Sequence, residues 1–177
     1  DGVGAFIHVG RDRGAGPGNG TINITAGGAL LVSDNGQAAV DGVGIALGTV
    51  AGSSGTVTVS GVGSSITVSS TGGGTATPLI NVGNGGDGQM TISDGATVSV
   101  LGTGQRNFTV GAGATGSGVL TMTNGATIVA SRFAVADNGG IGAATIDNST
   151  VNLDGVIIFN GVPQGAGVRV GRGDGAN

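Results

Sequence analysis

Four aspartates stand at loosely matching places in this chain. Asp12, Asp87, Asp137 and Asp174 each follow the first alternating run of a repeated unit by a few residues, inside a Gly-rich link. Carboxylate oxygens on such loops can hold Ca²⁺, which takes about 6 to 8 oxygen ligands, so calcium is the one cofactor the sequence suggests. Solvated turn aspartates are the plainer reading. The four offsets differ, and "GNGGDGQM" at 83–90 lacks the ordered Gly-Gly-x-Gly-x-Asp spacing of calcium-binding nonapeptide repeats. His8 is the only histidine and there is no Cys, so a zinc site is hard to assemble. Apart from His8, every basic residue is one of 6 Arg and every acid one of 10 Asp, with no Lys, Glu, Tyr or Trp. That leaves few groups for the acid–base pair or metal cluster of a polysaccharide-cleaving enzyme, and no aromatic platform for a sugar. No enzyme is expected. Arg172-Gly173-Asp174 spells a tripeptide that integrins bind, although so short a match arises easily in a Gly-rich link.

Hydroxyls offer a second candidate surface. Thr58, Thr91, Thr121 and Thr145, with Asn23, share one phase of a repeated phrase, and Ser60, Ser93 and Thr123, with Thr25 and Asp147, share the next. Stacked as columns they would form a flat face that resembles the ice-binding faces of some solenoid antifreeze proteins, or a face for a surface glycan. Thr also has high strand propensity and forms outward ladders without any ligand.

The elements that must carry these residues follow from self-similarity. The steps Val9-Gly10, Leu47-Gly48, Val82-Gly83, Val110-Gly111, Val135-Ala136 and Val170-Gly171 recur 25 to 38 residues apart. Each closes a first alternating run, whose inward column reads Ile7, Ile45, Ile80, Phe108, Phe133 and Val168. The opposite phase of that run puts His8, Ala46, Asn81, Thr109, Ala134 and Arg169 outward. Second runs cover 21–24, 56–59, 89–92, 119–122 and 143–146; third runs cover 30–32, 66–68, 98–100, 128–130 and 151–153. Period-two alternation with β-branched residues is the mark of half-buried strands. Between runs two and three lie the corners "TAGGA", "SDGAT" and "TNGAT", where Gly28, Gly95 and Gly125 are expected at positive φ, with Asn148 serving in the fifth unit. The expectation is an all-β, right-handed parallel β-helix (β-solenoid) with three short strands per coil and about five and a half coils. It forms one domain over 1–177, with units at 1–38, 39–72, 73–103, 104–131, 132–161 and a partial 162–177.

Composition narrows the classes. Glycine supplies 42 residues, yet there is no Gly-X-Y period and 38% of the chain is hydrophobic, which excludes collagen and disorder. A net charge of −4 gives no electrostatic footprint for nucleic acid. No stretch has the roughly 18 apolar residues needed to span a bilayer as a helix, so no membrane insertion by this segment is expected.

"GSSGTVTVSGVGSSITVSS" (52–70) and "NVGNGGDGQMTISDGATVSV" (81–100) resemble the repeats of bacterial autotransporter passengers and related large surface adhesins. The resemblance implies a secreted right-handed β-helix at the bacterial cell surface and no catalytic site. Since the sequence opens on Asp1 and breaks off within a sixth unit, either a piece of a longer array or a protomer that stacks head to tail is expected. The expected role is a non-enzymatic filament, stalk or adhesin element whose partners are copies of itself and a surface glycan or host receptor. The alternative is a carbohydrate- or ice-binding module.

Overall fold

Alternating Ile, Val, Leu and Thr favour extended backbone, because a branched side chain packs well on a pleated surface and one face of each run is apolar. In the computed structural model, which describes residues 5–12, 14, 16–34, 42–71, 77–159 and 162–173 (for 157–159 the backbone only), each run is a strand. The first runs become β1 (Phe6–Val9), β4 (Gly44–Leu47), β7 (Leu79–Asn84), β10 (Asn107–Ala112), β13 (Arg132–Asp137) and β18 (Gly167–Arg172). Second runs become β2 (Asn19–Ile24), β5 (Ser54–Ser60), β8 (Asp87–Ser93), β11 (Ser117–Met122) and β14 (Ile141–Ile146). Third runs become β3 (Ala29–Ser33), β6 (Ser65–Ser70), β9 (Thr97–Gly102), β12 (Thr127–Ala130) and β15 (Thr150–Leu153).

Each set pairs with itself alone, giving three sheets of six, five and five strands. Every pairing within these sheets is parallel. The chain is therefore a β-solenoid of stacked three-strand coils. Among the described residues there are five coils and one strand of a sixth, slightly fewer than expected.

Register carries the core from coil to coil. Ile7, Ile45, Ile80, Phe108, Phe133 and Val168 lie opposite one another in successive strands of the first sheet. Ile45, Ile80 and Phe108 are fully buried, and the Phe108 and Phe133 rings stack with centroids 5.8 Å apart and planes 22° from parallel. Val57, Val59, Met90, Ile92, Leu120 and Met122 fill the core from the second sheet, and Ile66, Val68, Val98, Val100 and Ile128 from the third. The column frays at its ends. Val168 is 59% exposed and Ile7 half-buried, because stacking covers each inward side chain from both sides and these two have a described neighbour on one side only.

Two kinds of corner shape the coil. Between the second and third sheets, φ is positive at two consecutive residues: Ala26 and Gly27, Asp94 and Gly95, Asn124 and Gly125. Hydrogen bonds close these turns, from Gly28 N to Thr25 O (3.0 Å), Ala96 N to Ser93 O (3.1 Å) and Ala126 N to Thr123 O (3.3 Å). Positive φ at both central residues is the type I′ pattern. The sequence placed Gly28 one residue out of phase: Gly27 is the left-handed residue, while Gly28 occupies the place of Ala96 and Ala126. Asn148 adopts φ 44°, as expected.

Between the first and second sheets the chain turns at the anchor glycine. Gly83 has φ 79°, and a Cβ there would fall well inside van der Waals contact of the Ser117 carbonyl oxygen and 2.8 Å from Gly118 N. Ser117 opens the second strand of the following coil, so the next coil leaves no room for a side chain. Ala136 holds the same place at φ 57°, where no following second-sheet strand lies among the described residues.

One element was not foreseen. Between β15 and β18 the chain makes an antiparallel hairpin of β16 (Val156–Phe159) and β17 (Val162–Gly165).

Candidate functional site

The solenoid distributes the candidate aspartates along its axis instead of gathering them. Asp12 lies in the link after β1, where its Oδ1 accepts the N–H of Gly14 (2.6 Å) and of Gly16 (3.2 Å). This is the turn-forming use of a short carboxylate side chain. Asp87 opens β8, exposed, opposite Ser54 and Ser117. Asp137 ends β13, 5% exposed, in an ion pair with the equally hidden Arg132. Asp174 lies outside the described residues. Among the described residues no three His, Cys, Asp or Glu side chains stand close enough to hold a metal together.

His8 is exposed and tilted against Phe6, with ring centroids 4.7 Å apart. Its column runs in register through Ala46, Asn81, Thr109, Ala134 and Arg169. That column is less open than expected, since Ala46, Thr109 and Ala134 are buried. Arg172 and Gly173 are exposed at the end of β18, with Arg172 opposite Asp137.

The first hydroxyl column stacks in register, and of the second Ser60 and Ser93 do. Asn23, Thr58, Thr91, Thr121 and Thr145 lie opposite one another in the second sheet, as do Ser60 and Ser93. Thr58, Thr91, Thr121, Ser60, Ser93 and Thr123 are half-exposed and Thr145 is exposed. The third sheet carries a further column that the sequence reading passed over, Ser65, Thr97, Thr127 and Thr150. The same period-two phase would have found it.

Polar networks that sequence reasoning missed hold the corners. The Asp94 carboxylate accepts hydrogen bonds from Ser60 Oγ (2.8 Å), Ser93 Oγ (2.9 Å) and Asn124 Nδ2 (3.0 Å). These donors hold its pKa below the usual carboxylate value, Asn124 most of all, then Ser60 and Ser93. Asp34 is buried after β3, where it accepts Ser70 Oγ (2.5 Å) and Thr71 N (3.0 Å). The phase shared by Ala26, Asp94, Asn124 and Asn148 was the available signal for the corner ladder.

The charged residues of the first sheet make the other missed feature. Arg106 is buried just before β10; its guanidinium bonds the Asp154 carbonyl oxygen and lies 2.7 Å from the Asp154 carboxylate. It packs so closely on Gly155 that a side chain there would collide with it. Its own backbone accepts from the N–H groups of Ser131 (3.1 Å) and Arg132 (3.0 Å). Arg106 thus ties the fourth coil to the base of the β16–β17 hairpin. Arg132 Nε, Arg106 Nε and Asp137 Oδ1 are buried without a hydrogen-bond partner.

The geometry defines a three-sheet parallel β-solenoid with hydroxyl-rich outer faces and a charged first-sheet margin. Comparison with protein-family models, curated proteins and solved structures yields no match.

Proposed function

We propose that this chain is a non-enzymatic structural β-solenoid of a bacterial extracellular filament, stalk or adhesin, associating head to tail through its coil ends. One observation carries the reading. The inward columns that are sealed in the middle coils emerge on β18 with Val168 59% and Val170 74% exposed, and the backbones of β14 and β15 each pair on one side only among the described residues. Parallel pairing of a further coil would cover both the apolar column and the strand edges, with its second strand seated farther from Ala136 than Ser117 lies from Gly83. The resemblance of residues 52–70 and 81–100 to autotransporter passenger and adhesin repeats supports the extracellular setting.

Electron microscopy and sedimentation of the purified chain over a concentration series test it. Thin fibres whose diffraction shows an axial repeat of about 4.8 Å are expected as concentration rises. Discrete particles of one mass at every concentration would overturn the self-association. The in-register column Thr58, Thr91, Thr121 and Thr145 favours a second reading, a glycan- or ice-binding face. Glycan binding or thermal hysteresis that disappears in Thr91→Tyr would establish it.

A further inference from the structure

The two ends of the stack differ in height. Among the described residues the first sheet holds six strands and the other two hold five each, so β18 stands one strand above β14 and β15. At the opposite end β1, β2 and β3 begin the three sheets together. A second copy set directly on top would pair its β1 with β18 and hold its β2 and β3 two strand spacings, about 9.6 Å, from β14 and β15. The edges of those strands and the exposed Ile146 would stay uncovered.

A closer fit lies in the likeness of β18 to β1. "GAFIHVGRDRG" (4–14) and "GAGVRVGRGDG" (165–175) agree at six of eleven positions, among them Ala5 and Ala166, Val9 and Val170, Gly10 and Gly171, and Arg11 and Arg172. No first run between them carries both that Ala and that Arg. β1 lies against β4, where the carbonyls of Ala5, Val9 and Gly10 accept the N–H groups of Gly44 (3.0 Å), Gly48 (2.9 Å) and Thr49 (3.1 Å). Ala166, Val170 and Gly171 are the matching residues of β18. Gly10 and Gly171 are both left-handed, at φ 74° and 69°. A Cβ on Gly10 would run into the Ser54 carbonyl of the following coil, whereas nothing stands within 4 Å of one on Gly171. The space that glycine keeps clear at Gly10 is thus also kept clear at Gly171, where no described strand uses it.

We propose that neighbouring copies interlock by strand exchange: β18 of one copy takes the place of β1 against β4 of the next, and β2 and β3 of that next copy seat on β14 and β15. The inference rests on the head-to-tail reading and specifies its joint. The sixth coil is then complete, with β18 from one chain and β2 and β3 from another. Val168 and Val170 lie opposite Ile45 and Leu47 in the register that Ile7 and Val9 hold, and Gly171 meets the Ser54 carbonyl. One first-sheet strand is released and a similar one replaces it, so the gain is the pairing of β14 and β15 and the covering of Ile146. Because β2 comes from another chain, no short corner ties it to β18, and it takes a seat farther from Ala136 than Ser117 has from Gly83. The joint reuses the β1–β4 interface that each copy already contains, and exchange of an element between protomers is a low-cost route to assembly.

Disulfide trapping tests the joint without background, since the chain has no Cys. Asn23 on β2 and Thr145 on β14 are exposed members of one column, at its two ends within a single chain. Exchange brings Asn23 of one copy about 4.8 Å from Thr145 of another, within the Cα separation that a disulfide spans; direct stacking leaves them about 9.6 Å apart, beyond it. Full-length Asn23→Cys/Thr145→Cys, oxidised where sedimentation shows oligomers, is expected to give a ladder of covalent multimers on a non-reducing gel. Either single variant gives nothing larger than a dimer, and circular dichroism checks that each variant keeps the fold. Oligomers without that ladder overturn the exchange and leave head-to-tail association standing; a ladder from His8→Cys/Arg169→Cys identifies direct stacking in its place. A single monomeric mass at every concentration overturns the association itself, and the exchange with it.

Discussion

Gly83 and Gly27 share the same φ of 79° but differ in what surrounds them. Nothing stands within 4 Å of a Cβ built on Gly27, whereas one built on Gly83 would overlap the Ser117 carbonyl of the next coil. Alanine at either place meets the left-handed cost of about 1–2 kcal/mol. It recovers about 0.4–1 kcal/mol by reducing the freedom of the unfolded chain. Gly27→Ala should therefore destabilise by roughly 1 kcal/mol, the difference of those two terms. Gly83→Ala adds a steric overlap against backbone, which cannot swing away as a side chain would. Overpacking of this kind typically costs about 1–3 kcal/mol, so Gly83→Ala should destabilise by about 2–4 kcal/mol in total. Urea unfolding followed by far-ultraviolet circular dichroism compares the two. Solenoids can unfold coil by coil, so amide hydrogen exchange around Gly83 and Ser117 should accompany it and show where protection is lost. Equal destabilisation by the two substitutions would refute the argument that the succeeding coil, and not backbone conformation alone, demands glycine.

The Arg132–Asp137 pair and the Asp94 corner give two further expectations. Asp137→Ala, which leaves the buried Arg132 charge without its partner, should cost about 3–5 kcal/mol, whereas replacing both residues by Arg132→Met and Asp137→Leu should cost far less; urea unfolding that ranks the double variant below the single one would contradict this. Because hydrogen bonds lower the folded-state pKa of Asp94 beneath its ordinary 3.8, its contribution is fully present above that value and is lost as pH falls through the lower folded value. The melting temperature of the wild type should accordingly drop more steeply below about pH 4 than that of Asp94→Asn, and superimposable profiles would show that the carboxylate contributes nothing.

The strands and their phase were legible because a solenoid repeats the same local problem. Ile45, Ile80 and Phe108 occupy one column simply because each must cover the one before it, and alternation records that need in every unit. The corner was read one residue out at Gly28, since "TAGGA" offers two glycines and sequence alone does not say which one lies left-handed. The β16–β17 hairpin was absorbed into the fifth unit, although Asn160-Gly161 between two apolar runs is a hairpin signal. The charged margin was hidden for a different reason. Arg106 and Asp154, or Asp137 and Arg172, are brought together by the stacking of coils, and spacing along the chain varies too much to reveal such partners.

The anchor glycine places a demand that runs in one direction, because the residue permitted in one coil is dictated by the backbone of its successor. A unit that carries its own Val-Gly step can therefore be duplicated or deleted whole without altering the requirement at any other corner. Rod length is then free to change in steps of a coil through recombination of the coding sequence, while single substitutions at the corners are penalised. Ala136 marks a place where that freedom is curtailed: a coil added above it in the same geometry would need glycine at this position.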